Sequence, residues 1–296
     1  MADGFADHEL KGDGWVRVCR GQYVRAADAA GLSDAQRHLV TTRAVAGRLC
    51  AEAVVSHVSA AVVHGLPVWD VPMDRVHVTR DRGAGARSTK QLTVHAARLD
   101  RGDVVRAGGL AVTSAARTVV DLARSVPFAH AVVIGDGALH AGLTTRRALE
   151  DQLMRARGRP GCPAARRAIQ FLDSRSESPG ESLSRIVIDR AGLPRPEQQA
   201  TVLDDRGRFV ARVDFLFPDR GVIGEFDGMV KYRTGRRPSE ETVIAEKVRE
   251  DALRSLGWLV VRWTWSDLTR PHRWLEALHH PTHHPPTGRW LASHSL

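Results

Sequence analysis

The chain has 296 residues, enough for one large or two ordinary domains with real cores, and its 43% hydrophobic and 26% charged content excludes a disordered polymer. Net charge is +9, mostly from arginine, which favours a polyanionic partner; an arginine-rich proteome gives the same bias. The sequence shows no apolar run of membrane length and no signal-peptide pattern, and its three scattered cysteines lack metal-ligand spacing, so a reduced, cytoplasmic setting without membrane partners is expected.

In chain order, Trp15–Val18 and Arg20–Val24 read as a hairpin turning near Gly21. Ser33 can cap a helix running to about Cys50, and Ser56 another through His64, stopped by Gly65 and Pro67. Strands are expected at 76–79, 92–95 and 110–113, and a helix from Ser114 to Ser125, with more helix over 128–155. The Arg-, Pro- and Gly-rich run RARGRPGCPAARR (155–167) marks an inter-domain boundary, giving domains 1–160 and 161–275. The stretch HHPTHHPP (279–286) predicts a flexible His- and Pro-rich tail over 276–296.

The second half opens on SESPGESLSRIVIDRAGL (176–193). Ser178 suits an N-cap, Pro179 the first helical position and Glu181 a capping box, with Gly192 ending the helix. RVDFLFPDRGVIGEFDG (212–228) then reads as two strands around the turn Pro218-Asp219-Arg220-Gly221. That turn pairs Phe217 with Val222 and Phe215 with Gly224, and sets Asp214 opposite Glu225. Alternation then places Arg212, Asp214 and Leu216 on one face with Ile223, Glu225 and Asp227. A basic loop follows (Lys231 to Pro238), then a helix from about Ser239 to Leu256 and a strand over Trp258–Trp265. Helix, strand, strand, helix, strand fits an α/β sandwich around a small mixed sheet, behind a mixed α/β N-terminal region.

Two carboxylates facing each other in a ladder repel, and desolvation beside Phe and Val makes that worse. A divalent cation removes the repulsion, and hard oxygen ligands suit Mg²⁺ or Mn²⁺, with Asp227 a third ligand or a water-orienting group. Such a metal can polarise a phosphodiester and generate a hydroxide nucleophile. The alternative is an exposed face on which these acids pair with Arg212 and Lys231. Glu181 has two readings as well: a capping-box residue serving the helix, or an acid on the metal side.

The arrangement from Glu181 through Asp214 and Glu225-Phe226-Asp227-Gly228 to the REDAL, LGW and VVRWTW segments resembles the PD-(D/E)xK nuclease superfamily, over roughly 177–270. More narrowly it is similar to a family related to very-short-patch repair endonucleases. The resemblance implies a restriction-endonuclease-like fold acting on DNA, with Asp214 and Glu225 as metal ligands and Glu181 assisting. A lysine often stands two positions after the Glu; here Asp227 stands there, which leaves Lys231 or Lys247 to supply the cation. Lys231 is the nearer in sequence, and Lys247 can pair with Glu250 and Asp251 on its own helix. Arg233, Arg236 and Arg237, with Arg166 and Arg167, are the expected phosphate contacts.

In the first half, SHVSAAVVHGLPVWDVPMDRVHVT (56–79) and VTSAARTVVDLA (112–123) are similar to AbiEi-type antitoxins of type IV toxin–antitoxin systems. The resemblance implies a DNA-binding regulator with a toxin as protein partner, here with a truncated winged-helix start, since only about a dozen residues precede the wing-like RVCRGQYVRA. A non-catalytic regulator with an inactive nuclease fold is thus the rival to an endonuclease. His57, His64, His77 and His95 do not fall at ligand spacing with Cys or acid on one predicted face, and are read as core or surface histidines.

Overall fold

Alternating apolar strands and capped helices build a mixed α/β protein. The computed structural model describes residues 14–49, 52–82, 85–228, 240–279 and 286–293. The chain divides into two units, Met1–Leu172 and Asp173–Leu296.

In the first unit, β1 (Trp15–Cys19) and β2 (Gln22–Arg25) form the expected hairpin, with Gly21 at φ 73. Ser33 caps α2 (Asp34–Ala46), which follows a short α1 (Ala26–Ala30). Its hydroxyl accepts from Gln36 N–H, and the Gln36 side chain accepts from Ser33 N–H. The helix stops at Ala46 rather than near Cys50, because Gly47 takes the C-cap. A six-stranded sheet runs in the order β5-β6-β4-β3-β8-β7, from β3 (Ala53–Val55), β4 (Val76–Arg80), β5 (Arg87–Ser88), β6 (Leu92–Ala96), β7 (Val104–Ala107) and β8 (Leu110–Thr113). Its β4–β6 and β3–β8 pairs are parallel. Helix α3 (His57–Val63) follows β3 directly.

Helix α4 (Ala115–Ala123), capped by Ser114, packs with α5 (Phe128–His140), α6 (Arg146–Arg155) and α7 (Cys162–Phe171). The existence of α7 corrects the boundary expected at 160. The run 155–167 is not a linker: Gly161 caps α7 at φ 82, Pro163 sits in the helix's first turn, and Ala165 and Ala168 enter a core with Ala123 and Ala131. A Cβ at Gly161 would lie 2.0 Å from the Arg124 carbonyl oxygen, so only glycine fits there. Pro and Gly start this helix; they do not break the chain.

In the second unit, a five-stranded mixed sheet has the order β12-β11-β10-β9-β13. Its strands are β9 (Glu197–Leu203), β10 (Phe209–Phe217), β11 (Val222–Asp227), β12 (Leu259–Thr264) and β13 (Arg289–Leu291). Only β11–β12 is parallel. The hairpin register is the one expected, Phe217 with Val222 and Phe215 with Gly224, around a 3₁₀ turn over Pro218–Arg220 closed by Gly221 at φ 66. Strand β9 was not expected, since EQQATVL is too polar at its start to read as a strand. Of the tail expected to be flexible over 276–296, Leu278 is buried in α11 (His272–His279) and β13 pairs with β9, while 280–285 and 294–296 lie outside the described residues.

Both sheet faces are covered. On one, Phe215, Phe217, Val222 and Trp263 pack with Ile188 and Leu193, from α8 (Pro179–Arg190) and the turn after it, and with Trp274 of α11. On the other, Val213, Leu216, Ile223 and Val260 pack with Leu253 of α9 (Glu240–Ser255). A short α10 (Trp265–Thr269) follows β12. Among the described residues no helix is long and apolar enough to cross a membrane.

Candidate functional site: an acidic cleft where two strands part

Strands β10 and β11 pair from the turn up to Phe215–Gly224; beyond that point the Asp214 side chain takes over, its Oδ2 accepting from Phe226 N–H at 2.9 Å. The strict alternation expected from the sequence breaks here. Ala211, Val213 and Leu216 share one core although an odd step separates Val213 from Leu216, while Phe215 lies in the other core. Across the ladder, Gln199 falls between the Ala200–Val213 and Gln198–Phe215 pairs and adopts φ 54. A non-glycine residue held there costs on the order of 1–3 kcal/mol and persists only where its surroundings fix it.

What fixes Gln199 is the site. Its Nε2 donates to Glu181 Oε2 at 2.9 Å and its Oε1 accepts from Arg212 Nε at 2.8 Å. Glu181 also accepts from Glu177 N–H (2.9 Å) and the Ser178 hydroxyl (2.7 Å), while Ser178 Oγ accepts from Glu181 N–H. The two readings of Glu181 therefore coexist: it completes the helix start and is buried against the site. Arg212 also pairs with Glu177. Gly180 is required beside it, because a Cβ there would lie 1.8 Å from the Phe226 ring, which packs against the first turn of α8.

The cleft, of about 350 Å³, is lined by Arg212, Asp214, Glu225, Phe226, Asp227, Glu246, Arg249 and Arg262. Burial pushes the Asp214 carboxyl up to about 7, and repulsion by Glu181 and, more weakly, Glu225 adds to it. Burial raises Glu181 too, against the hydrogen bonds that favour its charged form. Glu225 is buried, and is held at 2.9 Å by Arg249 and at 3.0 Å by Arg262. Both arginines also grip Glu246, which holds that carboxyl below its usual range, and Arg262 reaches Glu250 at 3.2 Å.

Of the expected site residues, Asp214, Glu225 and Asp227 line one cleft and Glu181 stands behind it. Lys231, Arg233, Arg236 and Arg237 lie outside the described residues. Arg166 and Arg167 are exposed on α7 and belong to the first unit, not to the half in which the expected boundary had put them. Lys247 is exposed on α9, and its expected partner Glu250 pairs with Arg254 and Arg262 instead. Sequence reasoning missed Gln199, Glu246, Arg249 and Arg262. The only available signal was the acid–base spacing from Glu246 to Glu250 on the helix after the hairpin.

The donor set fits a hard divalent cation in type: among the described residues no arginine forms an ion pair with the buried Asp214 carboxyl, and Asp227 is an exposed carboxylate beside it. Glu225 fits in position, with its charge shared between two guanidiniums. Among the described residues, no three of these acids bring ligand oxygens within 4.8 Å of one another.

Fold and cleft together define a two-unit α/β protein with an acid–arginine cleft at the fork of a β-hairpin. The chain is 32% identical over 267 residues to two proteins of Mycobacterium tuberculosis, Uncharacterized protein Rv2248 (strain ATCC 25618 / H37Rv) and Uncharacterized protein MT2308 (strain CDC 1551 / Oshkosh). The match covers 89% of this chain and 90% of each relative, and the chain belongs to their family. No family model matches it, and no solved structure matches it.

Proposed function

We propose that the second unit is a restriction-endonuclease-like hydrolase of DNA phosphodiesters, assisted by Mg²⁺ or Mn²⁺. One observation carries the reading: Asp214, at the cleft, is pushed up to about 7 by burial and by repulsion from Glu181 and Glu225. Structural acids are paired; a carboxylate left with an unmatched charge in a cleft is a candidate working group. Asp214, Glu225 and Asp227 would hold the metal, which supplies Lewis acidity toward a phosphate and lowers the pKa of water. Gln199 and Ser178 orient Glu181, and Glu181 sets the charge that Asp214 feels. Arg212, Arg249 and Arg262 present guanidiniums at the cleft, suited to phosphate oxygens. Lys231, with Arg233, Arg236 and Arg237, enters this reading from sequence position alone.

A second reading has its own observation. Glu225 is already neutralised by Arg249 and Arg262, as expected of a nuclease fold that binds DNA or a protein partner, such as a toxin, without cutting. Incubation of supercoiled and single-stranded DNA with Mg²⁺ or Mn²⁺ separates the two. Cutting by the wild type, reduced roughly 100-fold or more in Asp214→Asn, supports the hydrolase. DNA retained in a salt-sensitive complex but never cut, by wild type and variant alike, leaves the binding reading.

A further inference from the structure

The first unit brings together three histidines that sequence spacing keeps apart. Strands β4 and β6 are parallel with Thr79 opposite His95, so His77 and His95 lie on one face, one diagonal step apart. Strand β3 pairs antiparallel with β4, Val55 opposite Val78, and Ser56 N–H donates to the His77 carbonyl at 2.9 Å. That pairing delivers His57, the first residue of α3, beside them. Ligand nitrogens of His57, His77 and His95 all lie within 4.8 Å of one another.

The local geometry brings the three imidazoles to within reach of one ion. His95 Nε2 and His77 Nδ1 are 3.2 Å apart. Two imidazole nitrogens on one tetrahedral Zn²⁺, each at about 2.0–2.1 Å, stand roughly 3.3 Å from each other. The His57 ring stacks on His95 with centroids 3.6 Å and planes 15° apart, so it must tilt for both in-plane lone pairs to meet one ion; its Nδ1 lies 3.0 Å from Ser56 Oγ, which leaves Nε2 for the cluster. A ligand imidazole whose other nitrogen is held by a neighbour is the usual outer-sphere arrangement. His57 also takes φ 51, a left-handed conformation disfavoured for any side chain, and it is this backbone that turns the ring toward the other two. Burial holds all three rings below their ordinary range, His77 at about 4, and the neighbouring rings add to it at His57 and His77.

We propose that His57, His77 and His95 form a binding site for one cation of the Zn²⁺ class. Imidazole nitrogens select such borderline cations over Mg²⁺ or Ca²⁺, which take oxygen donors. The N–H···N bond between His77 and His95 holds one proton; moving it to the outer nitrogen of the same ring frees both lone pairs with no net proton release. Three protein ligands leave a fourth position open. His57 and His95 border a cleft of about 530 Å³ also lined by Arg82, Arg98, Arg159 and the Arg124–Asp121 pair, where the guanidiniums outnumber the one carboxylate and favour an anionic fourth ligand.

The test uses the full chain, stripped with chelator and titrated with Zn²⁺, with Mg²⁺ as control. One Zn²⁺ per chain is expected, with affinity reduced roughly 100-fold or more in His77→Ala and His95→Ala, beyond what losing an outer-sphere partner costs. Asp214→Asn must leave it intact. So must replacement of His279, His280, His283 and His284 by alanine, which removes the His-rich segment as an adventitious binder. X-ray absorption at the zinc edge of the wild type gives a readout independent of variant folding, with imidazole nitrogens at about 2.0–2.1 Å expected. Binding that follows the tail histidines, a sulfur scatterer in the first shell, or no Zn²⁺ uptake by the wild type each overturns the assignment.

Discussion

The two units solve the problem of buried titratable groups in opposite ways. In the first, His57, His77 and His95 are bases: burial drives them to the neutral form, and neutral rings can crowd together at little electrostatic cost. In the second, Glu181 and Asp214 are acids: burial raises them, and each remaining negative charge makes the next harder to hold. Desolvation disfavours the charged form in both places. A base thereby becomes a metal ligand, and an acid becomes a group that waits for a cation.

Charge burial of a third kind gives the largest expected effect. Arg117 is buried with Asp103 and Asp121, both at 2.6 Å. Arg117→Met leaves these two buried carboxylates only the longer contacts to Arg124 (3.2 Å) and Arg155 (3.7 Å) and should destabilise the protein by about 3 kcal/mol, seen as a lowered urea midpoint. A loss under about 1 kcal/mol would mean that water reaches these acids. Next comes Gly180→Ala, expected to cost up to about 3 kcal/mol because a Cβ there would lie 1.8 Å from the Phe226 ring, which Trp265 also meets edge-on. An unchanged melting temperature would show that α8 shifts freely and that Glu181 is not held.

The opposed signs predict opposed pH profiles in chelated protein. Asp214 is raised when folded, so its contribution to stability is full below its unfolded value near 4 and is lost as pH rises through about 7. The histidines are depressed, so theirs is present above 6.5 and is lost as pH falls toward about 4. Asp214→Asn should therefore gain on the wild type by on the order of 2 kcal/mol between pH 5 and pH 8 in denaturant titrations. His77→Gln should gain on it in the opposite direction, toward acid. Parallel profiles for both variants would remove the contrast. The smallest effect is expected at Lys247→Ala, within about 0.5 kcal/mol, since Lys247 is exposed and Glu250 has other partners. A larger loss, read from the urea midpoint, would put Lys247 in the cleft's charge network.

The local sequence determined much of this. Pro218 and Gly221 dictated the turn, the turn dictated the register, and the register put Asp214 and Glu225 at the same end of one hairpin. Ser33, Ser114 and Ser178 announced their helices through hydroxyls that satisfy otherwise unpaired N–H groups. These are interactions within a few residues, where bond geometry leaves few options.

Where several distant segments compete for one place, the sequence was silent. The composition of 155–167 resembles a linker, and only the fit of Gly161 against the Arg124 carbonyl makes it a helix start. Period-two alternation could not foresee the break at Asp214, which falls across the ladder from the strained Gln199 on a neighbouring strand. Arg249 and Arg262 reach Glu225 across 24 and 37 residues of chain. The histidines meet only because β3, β4 and β6 lie side by side in an order unrelated to ligand spacing. Turns and caps depend on near neighbours, so the residues themselves specify them; a site built of side chains from separate strands and helices exists only once the sheet has set their order and faces.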